Sequence, residues 1–77
     1  MGMKVWTGLR KTVIARKWQL VEVGFERIAQ LRSVTEYLDW FDNTDSTGRY
    51  AIFSVPFGNE YWFEDPKTAT EFVLKWA

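Results

Sequence analysis

"NEYWFEDP", residues 59–66, sets Tyr61, Trp62 and Phe63 side by side between polar neighbours, and its reading decides how many layers the fold needs. A strand sends successive side chains to opposite faces, so Tyr61 and Phe63 point one way and Trp62 the other. Two apolar faces need two covers. The stretch also marks the start of a helix. Asp65 suits an N-cap and Pro66 the first helical position, where its missing N–H costs nothing. In "EDPKTATEFVLKWA", residues 64–77, Ala69, Phe72, Val73 and Trp76 then fall at the spacing of one helical stripe. Glu64 and Asp65 lie at the positive end of that helix dipole and Lys75 at the negative end.

Working upstream, "GRYAIFSVPFGNEYWFED", residues 48–65, reads as a β-hairpin. Tyr50 to Val55 is rich in β-branched and aromatic residues, and Pro56 ends the run because it cannot donate to a ladder. Gly58 and Asn59 supply turn chemistry, and Glu60 to Glu64 returns. "SVTEYLDWFDN", residues 33–43, has Ser33 and Glu36 at capping-box spacing, which predicts a helix over about 34–42. Val34, Tyr37, Leu38 and Phe41 form its apolar face. Trp40 falls off that stripe, at the border of the core or outside it.

The pattern is weaker before Ser33. In "RKWQLVEVGFERIAQLR", residues 16–32, Val21, Val23 and Phe25 alternate, as do Trp18 and Leu20, while Ile28, Leu31 and Val34 fit a helix equally well. Taking Ser33 as a boundary places a strand over about 25–32. "VWTGLRKTVIARK", residues 5–17, has the β-branched content of a strand, yet Trp6, Leu9 and Val13 also fit a helix; the reading leans to extended structure. The expected class is α+β: one domain over residues 1–77, a small antiparallel sheet with two helices, in the order strand, helix, strand, strand, helix from about residue 25.

Composition bounds the function. Seventy-seven residues make a single small domain, in which roughly 60% of the unfolded surface can be buried. With no Cys and no His, the chain has no disulfide, thiolate or imidazole with which to gain stability, bind metal or build an acyl-transfer triad. Five Trp, six Phe and three Tyr offer heavy packing instead. Ser33, Ser46 and Ser54 are explained by a cap, a loop and a strand. Glu36 and Asp39 read as an exposed helix face. "DNTDSTG", residues 42–48, resembles a calcium loop, but the twelfth position from Asn43 is Ser54 where a bidentate Glu is needed. There is no phosphate cradle. The expectation is a protein that is not an enzyme and carries no cofactor.

The chain lacks an apolar run of the roughly 18 residues a membrane span requires, and "MGMKVWTGLRK" has no signal-peptide core. Trp6 stands where a myristoylation signal wants Ser or Thr. A soluble, cytoplasmic protein is expected. Net charge is zero, but the charges are sorted. Residues 1–32 carry seven basic side chains against two acidic, a net of plus five, and residues 33–77 carry three against eight, a net of minus five. The two halves either neutralise each other within the fold or leave a surface suited to a charged partner or to head-to-tail stacking.

The run "EYWFEDPKTATEFVLKWA", residues 60–77, resembles the ending of many small uncharacterised proteins of tailed bacteriophages. These share an aromatic strand, Asp-Pro, and an Ala-x-x-Phe-x-Leu-Lys/Arg-Trp helix. The matching positions are Phe63, Asp65, Pro66, Ala69, Phe72, Leu74, Lys75 and Trp76. The resemblance covers about 18 residues and implies a phage accessory protein working in the host bacterial cytoplasm, with no catalytic residues to carry over.

Two functional readings use the same side chains differently. In the first, a protein-binding module, Trp62 on a partly uncovered sheet face joins Trp40 and the basic residues Arg10, Lys11, Arg16 and Lys17 to contact a host protein or a second copy. Its role would be host-factor inhibition or counter-defence, by occlusion. In the alternative, a nucleic-acid-binding module, the same four basic residues neutralise a backbone and Trp6 and Trp18 stack on bases. The pI near 6.2 is far below the values typical of such domains. If the N-terminal segment folds over the second sheet face, Trp62 is covered and no aromatic surface remains.

Overall fold

The computed structural model describes residues 2–44, 46 and 48–77. Among them the chain runs β1 (Lys4–Val5), α1 (Arg10–Ala15), β2 (Gln19–Gly24), α2 (Phe25–Leu31), α3 (Thr35–Asn43), β3 (Arg49–Val55), β4 (Gly58–Phe63) and α4 (Pro66–Trp76). The strands form one mixed sheet in the order β1-β3-β4-β2. β4 pairs antiparallel with both β3 and β2, and only the two-residue β1 runs parallel to its neighbour. The class is α+β, with four helices where two were expected.

The hairpin and the last helix follow from their sequences. β3 and β4 meet across Pro56 and Phe57, with Val55 opposite Gly58, so the turn lies two residues earlier than Gly58 and Asn59 implied. Gly58 is required by close approach. Its φ is +156°, and a Cβ there would overlap the carbonyl oxygen of Val23 on β2. Asp65 caps α4 by accepting from the Lys67 N–H at 2.9 Å, and Pro66 occupies the first helical position.

Four sequence expectations are corrected. The strand expected at 25–32 lies at 19–24, with Val21 and Val23 inward, and residues 25–31 are helical, with Ile28 and Leu31 buried three apart. Ser33 does mark a boundary, but it closes α2 instead of opening α3: its hydroxyl donates to the Gln30 carbonyl at 2.9 Å, and the α3 N-cap is Val34 with no side-chain cap. Trp40 is buried beside Phe41, and Leu38, expected on the apolar face, is exposed. Residues 10–15 form α1 where extended chain was expected. α1 ends because Lys17 takes φ 60°, letting the Trp18 N–H reach the Val13 carbonyl and the Lys17 N–H the Ile14 carbonyl, at 3.1 Å each. That is a Schellman closure, with lysine at the position glycine usually fills.

The sheet is covered on both faces. On one, Val21, Val23, Tyr61 and Phe63 pack against Ile28 and Leu31 of α2, Trp40 and Phe41 of α3, and Ala69 and Phe72 of α4. On the other, Ala51 and Trp62 pack against Val13 of α1 and Trp18, with Trp6 and Phe53 at the border. The second cover comes from the N-terminal segment. Asp45 and Thr47, in the loop quoted above as "DNTDSTG", lie outside the described residues, as does Met1. Among the described residues no helix is long and apolar enough to cross a membrane.

Candidate functional site

Strand alternation puts Glu60 on the same face as Trp62, beneath α1, where only 4% of it is exposed. A buried carboxylate must be paired. Arg10 supplies the pairing: Nε donates to Oε1 at 2.6 Å and Nη2 to Oε2 at 2.7 Å. The Trp62 indole N–H also donates to Oε1, at 3.0 Å. The Arg10 guanidinium, reinforced by that indole, holds the Glu60 carboxyl below its usual pKa range although burial pulls the other way. Glu22, opposite Glu60 on β2, adds to the field around Arg10. The arrangement is a clamp between α1 and the sheet. Glu60 escaped sequence reading; an acid two residues before a tryptophan on an otherwise apolar strand was its only signal.

The structure separates the residues expected to form one contact surface. Trp62 is 7% exposed beneath α1, and Trp40, 8% exposed, lies on the opposite side of the sheet. The uncovered face expected around Trp62 does not occur, because α1 and Trp18 fill it. Arg10 is brought to Trp62 through Glu60, as a structural partner. Lys11, Arg16 and Lys17 remain exposed on α1 and the turn after it. Trp6 and Trp18 pack on each other, with centroids 5.6 Å apart, and Arg49 lies 5.5 Å above the Trp18 ring. Buried in this way, Trp18 offers no face on which a nucleic-acid base could stack.

A different concavity stands out between α3 and α4. It is an open groove of about 840 Å³, with Trp40 and Trp76 among its lining residues, Glu36, Asp39 and Glu71 as its acids and Lys75 as its one base. Aromatic packing fixes both indoles. Trp40 leans on Phe41 at 5.2 Å and Phe72 at 5.8 Å, and Trp76 stands edge-on to Tyr37 at 5.6 Å. Arg27 Nε donates to the Trp76 carbonyl at 2.7 Å, and the Ser46 hydroxyl donates to Glu71 at 2.6 Å, so the walls are tied to neighbouring elements. Among the described residues no acidic cluster is arranged to hold a metal ion. The half-buried Trp76 ring and the carboxylates on the rim attract an organic cation instead, with buried Trp40 as the floor.

Compared with known proteins, the chain matches no family model, no curated protein and no solved structure.

Proposed function

We propose that this protein is a non-catalytic binding module that holds a cationic segment, rich in Lys or Arg, of a protein partner in the groove between α3 and α4. One observation carries the reading: three carboxylates and two immobilised indoles line a single open groove against one ammonium group. A guanidinium or ammonium stem laid there gains cation–π attraction from the half-buried Trp76 ring and Coulomb attraction from the rim. The resemblance of residues 60–77 to tailed-phage accessory proteins supports the setting, a host factor bound and occluded in the bacterial cytoplasm.

An oligo-arginine peptide titrated against tryptophan fluorescence tests it. Saturable binding that weakens with salt, is lost in a Glu36→Lys/Asp39→Lys double variant and survives in Glu26→Lys, outside the groove, supports the reading. Equal binding in the groove variant, or none at low salt, overturns it.

A further inference from the structure

The two edges of the sheet are unequal. β1 covers β3 only at Arg49 and Tyr50 and leaves residues 51–55 open on that side, whereas β2 is open along all six of its residues, "QLVEVG", with no proline or lysine to blunt them. The direction of its backbone groups follows from one bond, the Phe25 N–H to the Phe57 carbonyl at 3.2 Å. Inward and outward groups alternate along an antiparallel ladder. Gln19, Val21 and Val23 therefore turn towards β4, and Leu20 and Glu22 turn outward, where among the described residues no backbone group meets them. Beside this edge, a cleft of about 300 Å³ separates β2 from α4 and is lined by Leu20, Val73 and Leu74, among others. These three are 39%, 45% and 81% exposed.

We propose that two copies of this chain pair through β2, antiparallel, about a two-fold axis at Val21, joining two four-stranded sheets into one of eight strands. Outward residues must meet outward residues, and few registers allow it. With the axis at Val21, Leu20 faces the partner's Glu22 and Glu22 faces the partner's Leu20, satisfying all four outward groups of each pair. An axis at Glu22 would set two carboxylates opposite each other. An axis at Leu20 would call on Trp18, whose N–H already serves Val13. Charge selects the same arrangement. Arg16 and Lys17 precede the strand and Glu26 follows it, all exposed, so antiparallel pairing about Val21 brings the basic end of one strand, Arg16 and Lys17, to the acidic end of its partner, at Glu26. Parallel pairing would set like against like. Exposed Val73 and Leu74 flank the junction and are covered by it.

The inference does not depend on the α3–α4 groove, which shares no residue with the β2–α4 cleft. Sedimentation of the full chain should give twice its 9.1 kDa mass. Leu74→Glu and Leu20→Pro should each shift the chain to monomer, and circular dichroism reports whether the fold is kept. Leu74 is a surface residue of α4, so its variant tests the idea even if Leu20→Pro fails to fold. Arg16→Glu alone should weaken association by roughly tenfold or more, and adding Glu26→Lys should restore it. A chain monomeric at every concentration, or a dimer indifferent to Leu74→Glu and to the charge swap, overturns the proposal.

Discussion

Arg10 and Glu60 lie fifty residues apart in the chain and close a two-point ion pair at 2.6 and 2.7 Å, so the first helix is tied to β4 by charge as well as by packing. The pKa of Glu60 is depressed by that pair, and Glu64 is depressed in the same way by Arg49. On acidification the unfolded chain takes up protons before these carboxylates do. The stability they contribute is full above the unfolded value, about 4.3, and is lost as pH falls through the lower folded values. The thermal midpoint should therefore hold steady from about pH 8 to 5 and drop below about pH 4. Glu60→Gln should lower the neutral plateau and flatten the acid limb.

Trp62→Ala removes a ring that fills the space under α1. The expected cost is about 3–5 kcal/mol in denaturant unfolding, a loss of fold and not of a contact surface. Acrylamide should quench Trp18, Trp40 and Trp62 poorly in the native chain, since each is under a tenth exposed.

The hydroxyls of Tyr37 and Tyr61 are 2.6 Å apart, and Tyr61 is 1% exposed. Tyr37→Phe leaves the inner hydroxyl short of its partner and should cost about 1 kcal/mol. Burial, and then the bond to Tyr61, push the Tyr37 phenol far above its ordinary pKa, and burial raises Tyr50 as well. The unfolded chain loses these protons first. Stability is full below the unfolded phenol value near 10 and declines above it, which spectrophotometric titration paired with circular dichroism will show.

Lys17 holds a left-handed conformation that costs an L side chain about 1–2 kcal/mol. Lys17→Gly should offset part of this through the relaxed turn and lose part to the freer unfolded chain, a net gain of up to about 1 kcal/mol in unfolding free energy.

The C-terminal half of the fold was legible because its signals are local. Asp65 and Pro66 start α4 whatever surrounds them, and Pro56 can only end a strand. The N-terminal half was not, because its choices are settled by distant partners. Residues 19–24 are a strand since β4 offers Val21 and Val23 a place on the core face. Val13 is helical since α1 must reach over Trp62, and no spacing within residues 5–17 states that need. Trp40 misled for a related reason: the helix turns a different arc inward from the one Leu38 implied. Of the residues named for partner contact, only Lys11, Arg16 and Lys17 stay free at the surface. The α3–α4 groove draws its residues from two segments some thirty positions apart, and a pairing of that kind is invisible until the chain folds.

β2 is made about forty residues before β4, its neighbour in the sheet among the described residues. On the ribosome, residues 19–24 emerge with nothing to hydrogen-bond to until residues 58–63 clear the exit tunnel. The nascent chain therefore carries a bare, sticky segment over that whole interval, and the sheet closes only once β4 is free to pair.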